Sequence, residues 1–143
     1  MLYNREIAYR SNEIKAKILG ITEVQRLHLR LIELATFNKF NGKKVVKDLL
    51  NHTDLWMECL MDRGSRRAGN MGILIKLRDI FLNLNNVDTL YLIPKRGKEE
   101  ELKKLTKFWK ADEIFLVDGE MSGKLMGGYP SFRKTGILRL WWD

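Results

Sequence analysis

The chain has 143 residues, 45% of them hydrophobic and 31% charged, which is the make-up of a soluble globular chain of one domain with enough residues to bury a core without staples. No run of residues approaches the ~20 apolar positions of a membrane span, Met1 to Gly20 is too charged for a signal-peptide core, and a single cysteine, Cys59, excludes an internal disulfide, so a cytoplasmic site is expected. The net charge of +8 admits a polyanionic partner, but the surplus is mainly N-terminal and no single face is marked as basic.

The segment before Thr22 is ambiguous: Ile7, Ile14, Ile18 and Ile21 could line a helix, or Met1 to Tyr9 could form an edge strand. Thr22-Glu23-Val24-Gln25 is a capping box, and Val24, Leu27, Leu31, Leu34 and Ala35 follow at helical spacing, so a helix is expected over 22–37. Asn41-Gly42 breaks it, and Val45, Val46, Leu49 and Leu50 predict a shorter helix over 43–52. Asp54 to Leu60 is short, apolar and aromatic, and reads as a strand or as one helical turn.

The stretch Asp62-Arg63-Gly64-Ser65-Arg66-Arg67-Ala68-Gly69-Asn70-Met71-Gly72 sets three arginines and three glycines ahead of a strongly periodic segment. Glycines let successive N–H groups turn toward one point, a helix N-terminus adds partial positive charge, and arginine supplies forked donors, so the stretch is a candidate phosphate seat. The plainer alternative is a solvated connection. Ile73, Leu74, Leu77, Ile80, Phe81 and Leu84 then predict a helix over 71–85, ended by Asn85-Asn86.

Val87 to Ile93 reads as a buried strand stopped by Pro94. Gly97 to Lys110 is expected to be helical, with Glu99, Glu100 and Glu101 in its first turn and lysines later. Strands are expected at Glu113 to Val117 and at Ile137 to Trp142, while Glu120 to Arg133 is glycine-rich and unassigned. Adjacent strand residues point to opposite faces, so at most one of Trp141 and Trp142 can enter a given core. Together these elements predict an α/β (α+β) domain over 1–143, with a mainly helical part over 1–53 and a mixed central sheet with flanking helices over 54–143.

The order strand, arginine-glycine loop, helix, strand, helix, strand, strand over residues 54–143 resembles the second half of GNAT-type N-acetyltransferases, whose pyrophosphate loop reads Gln/Arg-x-x-Gly-x-Gly/Ala. Arg66-Arg67-Ala68-Gly69-Asn70-Met71 fits the first four positions, with Met71 in the last and a glycine only at Gly72. The resemblance implies that Arg66, Arg67, Gly69, Asn70, Met71 and Gly72 hold the pyrophosphate of acetyl-CoA and that Glu58 is the general base toward a small-molecule or peptide amine; whether strands 55–60 and 87–93 run parallel and splay apart, leaving a cleft for the pantetheine arm, is the observation that tests it most directly. The family's tyrosine acid on the second helix has no counterpart in Leu102 to Trp109; Tyr91 and Tyr129 are the nearest tyrosines.

Three other readings compete. A non-catalytic protein could bind nucleic acid non-specifically through the basic N-terminal segment and Arg63, Arg66 and Arg67. A helix-turn-helix over 43–62 would bring Asp54, Glu58 and Asp62 toward phosphates and lacks base-reading side chains. A homo-oligomer could form on the N-terminal helices or on Trp141 and Trp142. Two histidines and one cysteine are too few for a structural zinc site, so no metal is expected.

Overall fold

The computed structural model describes residues 2–64, 72–128 and 136–143. The chain opens with helix α1 (Leu2–Ile18), which resolves the ambiguity of the first segment in favour of a helix. Its apolar stripe nevertheless points outward: Ile7, Ile14 and Ile18 are exposed, whereas Ala16 is buried and Asn12 and Glu13 reach Glu33 and Arg26. Helix α2 (Glu23–Leu34) starts where the capping box places it, with the Thr22 hydroxyl accepting from the Gln25 N–H at 3.4 Å. The other half of the box is redirected, because the Gln25 side chain reaches across to Cys59.

α2 stops three residues short of the expected end. Ala35 is extended, and Thr36–Phe37 (β1) pairs with Phe40–Asn41 (β2) in a two-residue hairpin whose turn places Asn38 at φ 46°. Asn41 then caps helix α3 (Gly42–Asn51) through its side chain. Gly42 is required there by space: a Cβ would sit 1.9 Å from the Ile32 carbonyl oxygen and 2.5 Å from that of Ala35.

The central sheet has four strands: β3 (Trp56–Asp62), β4 (Thr89–Pro94), β5 (Glu113–Val117) and β6 (Ile137–Trp141), in spatial order β3-β4-β6-β5. An α/β (α+β) architecture with flanking helices is therefore what the molecule has, but the sheet expected to be mixed is antiparallel throughout. The strands whose direction tests the resemblance, β3 and β4, do not run parallel and splay: they are antiparallel partners from Trp56↔Pro94 to Asp62↔Thr89. The segment 63–88 thus returns the chain to the same end of the sheet that β3 left, as a long hairpin connection does, rather than crossing over.

The segment 71–85 departs most from expectation. Its described part holds only helix α4 (Ile75–Asp79) and a 3-10 turn (Ile80–Leu82), ended by Asn83 in the left-handed region. The apolar residues Ile73, Leu74, Leu77, Ile80, Phe81 and Leu84 are exposed, and the buried side chain is a charged one. That side chain, Asp79, is gripped by the Arg78 guanidinium at 2.5 and 2.7 Å and by the Asn86 amide at 2.9 Å, which orients α4 polar side inward. Pairing makes that burial tolerable.

Downstream, α5 (Glu99–Thr106) continues as a 3-10 turn through Trp109, and α6 (Gly119–Leu125) occupies part of the unassigned stretch. One sheet face, carrying Cys59, Met61, Leu90, Leu92, Leu138 and Leu140, forms the core with side chains of α2, α3 and α5. Trp142 lies in that core, edge-on to Phe40 at 4.6 Å, and donates its indole N–H to the Trp109 carbonyl at 3.1 Å. Trp141 faces the other way and is half-buried, as alternation demands.

Candidate functional site

The second face of the sheet is only partly covered, and there the chain brings its chemistry-bearing residues together. β3 alternates, so Glu58, Leu60 and Asp62 share this face. The register Glu58↔Ile93 and Leu60↔Tyr91 sets Ile93 and Tyr91 beside them, and Ile137 extends the floor onto β6. α2 forms one wall through Thr22, Val24, Gln25 and His28, and the end of α6 forms another through Leu125 and Met126. The cleft, open to solvent, measures about 520 Å³, within the size of ordinary small-molecule sites, and Arg63 also lines it.

Two local features build the walls of this cleft. The first is Gln25, whose amide donates to the Cys59 carbonyl at 2.8 Å and accepts from the Cys59 N–H at 2.9 Å. β3 is an edge strand, and the Gln25 side chain takes the place of a neighbouring strand on its outer edge. The second is α6, started by Asp118 accepting from the Met121 N–H at 2.8 Å and pinned by the wholly buried Ser122, which donates to the Gly119 carbonyl at 2.9 Å. An aspartate cap with Glu120 in the first turn is a legible helix start.

Glu58, proposed from the sequence as a base, lines the cleft, and so does Tyr91; Tyr129 falls outside the described residues. Of the residues assigned to a pyrophosphate, Arg66, Arg67, Gly69, Asn70 and Met71 also fall outside them. Gly72 is described: its φ of 78° is left-handed, and its carbonyl accepts the Ile75 N–H at 3.2 Å.

The root of the loop is held by carboxylates. Asp62 accepts from the Arg63 N–H and from Lys76 Nζ, each at 2.7 Å. Asp88 accepts from the Gly64 N–H at 2.8 Å and the Thr89 hydroxyl at 2.7 Å, and the Arg63 guanidinium donates to Asn86 at 2.8 Å. These donors are engaged, so the root itself is no seat for a phosphate. The cleft side presents carboxylates, Glu58 and Asp62, which are acceptors suited to an ammonium donor.

Cys59 is buried beneath Gln25, and burial pushes its thiol up to about 12, so it is an inert core group and not a nucleophile. Among the described residues no cluster of His, Cys, Asp and Glu could hold a metal, and no helix is long and apolar enough to cross a membrane. The sequence did not mark His28, Gln25, Leu125 or Met126 as cleft residues; they meet Glu58 only through tertiary packing. No protein-family model, curated protein or solved structure matches the chain.

Proposed function

We propose that the cleft binds an amine and that the protein acetylates it, with acetyl-CoA as donor. The observation that carries this reading is the placement of Glu58 and Tyr91 as diagonal neighbours on the cleft floor, one strand apart. Such positions lie roughly 7–8 Å apart along the backbone, leaving room for a reacting group between their side chains. Acetyl-CoA, when bound, supplies an activated thioester.

The chain's own residues divide the remaining work. Glu58 would take a proton from the ammonium form of the substrate, freeing the nitrogen lone pair to attack the thioester carbonyl; as the C–N bond formed and the C–S bond broke, the Tyr91 hydroxyl would protonate the leaving thiolate and be restored by the second proton that the nitrogen sheds. Leu60, Ile93 and Ile137 give the amine an apolar bed and exclude water. The pyrophosphate falls to Arg66, Arg67 and the glycines after them, because the donors at the loop root are engaged. With β3 and β4 paired to the loop, the pantetheine arm has to cross the sheet face rather than pass between strands.

The β3–β4 pairing, continuous in register from Glu58 to Asp62, also favours a second reading, in which the cleft binds its ligand without turnover. One experiment separates the two. Acetyl-CoA at 100-fold excess over Kd stabilises by about 2.7 kcal/mol, a rise in Tm on the order of 5–10 °C for a chain of this size. The acetylation reading predicts that rise, its loss in Arg66→Ala/Arg67→Ala, and thiol release with an amine panel that Glu58→Gln abolishes. A shift without thiol release leaves the binding reading, and no shift at millimolar ligand refutes both as CoA proteins.

A further inference from the structure

We propose that the outward face of α2, together with the segment from Ile73 to Leu84, is the interface of a two-fold homodimer. Helix α2 has two apolar faces. Leu29 and Ile32 enter the core, whereas Leu27, Leu31 and Leu34 project from the opposite side into solvent and Val24, whose inner side lines the cleft, continues their row. Their spacing of three, four and three residues is that of a helix-pairing seam. A solvated helix face would carry polar residues instead.

The second strip joins the first. Leu34, at the end of α2, lines the same crevice as Leu84, at the end of the α4 segment. Ile80 and Phe81 carry the apolar surface on from there. The apolar side chains of the two strips are 42–82% exposed. At about 120 Å² of apolar area for a leucine-sized side chain, the combined surface is on the order of 800 Å². Summed over the two strips, that matches what each partner contributes to a standard interface.

The surface suits a copy of itself better than an anionic membrane. The cations along the second strip are engaged within the chain, Lys76 with Asp62 at 2.7 Å and Arg78 with Asp79 at 2.5 Å. The strip therefore meets a partner as an apolar face, although the whole chain carries +8. In an antiparallel pairing about a two-fold axis beside Leu29, Val24 comes opposite the partner's Leu34, and Leu27 opposite the partner's Leu31. The seam is thus self-complementary, the requirement of a closed isologous dimer.

Analytical ultracentrifugation of the full chain across the micromolar range tests this. The expected result is a dimer that dissociates on dilution, weakened by roughly 30-fold or more in Leu27→Glu/Leu31→Glu and in Phe81→Glu with unchanged circular dichroism. Should the double glutamate variant fail to fold, Leu27→Gln alone serves, because that side chain contributes nothing to the core. A monomer at every concentration, a dimer indifferent to these changes, or a monomer that floats with phosphatidylserine vesicles would overturn the proposal.

Discussion

Replacing Gln25 by alanine should cost about 2–3 kcal/mol of folding stability, a large effect for a polar residue near the start of a helix. Its side chain is only 8% exposed and satisfies both backbone groups of Cys59 on the outer edge of β3. Truncation orphans a buried donor and a buried acceptor, at about 1–3 kcal/mol each. Two effects pull the total toward the lower end. Gln25 lines the cleft, so water can reach the vacated edge, and up to about 2 kcal/mol of side-chain entropy is no longer lost on folding. The remainder is still a sizeable fraction of the ~5–15 kcal/mol by which domains are stable. Urea unfolding measures it, as a lowered midpoint at constant slope. Gln25→Glu sharpens the test, because it sets carboxylate oxygens against the Cys59 carbonyl at neutral pH and should regain stability in acid as the introduced carboxyl protonates and donates. A loss below about 1 kcal/mol for Gln25→Ala, with unchanged slope, would refute the edge-strand role.

Two further outcomes follow from local geometry. Gly42→Ala, which in an open helix would gain roughly 0.5–1 kcal/mol, should instead lose about 3 kcal/mol, because the new Cβ meets backbone oxygens at 1.9 and 2.5 Å that cannot step aside; a Tm within about 2 °C of the parent would contradict this. The Arg78 guanidinium, aided by Asn86, holds the Asp79 carboxyl down to about 2, against an ordinary 3.8. A depressed carboxyl contributes stability that is present above the unfolded value and lost as pH falls from about 4 to about 2. Asp79→Asn should therefore flatten the pH dependence of unfolding within that window, and identical acid slopes for parent and variant would show that the grip does not matter.

Elements with strong local signals were legible. β5 spans the expected Glu113–Val117, and α3 begins at the glycine after Asn41, one residue from expectation. What local signals could not supply was direction. Periodicity over Ile73 to Leu84 predicts a helix with an apolar side, but a burial decision also depends on what else can be satisfied inside, and there Asp79 with Arg78 and Asn86 turned the segment over. Strand direction was hidden for the same reason. Nothing in the residues 63–88 distinguishes a crossover from a returning connection until the register Asp62↔Thr89 is known.

The candidate site divides along the same line. Glu58 could be picked out because a carboxylate in an apolar strand is conspicuous, but its company could not be, since α2 and α6 reach the cleft from more than 25 residues away on either side. The arginine-glycine loop shows the converse. Its composition suggests an anion seat, yet the residues that fix its root are Asp62 and Asp88, which consume the Arg63 and Gly64 N–H donors a phosphate would need. At this end of the sheet the carboxylates of Asp62 and Asp88 are engaged within the chain, by Lys76 and the Arg63 N–H and by the Gly64 N–H and Thr89, while Glu58 lies further along the cleft floor.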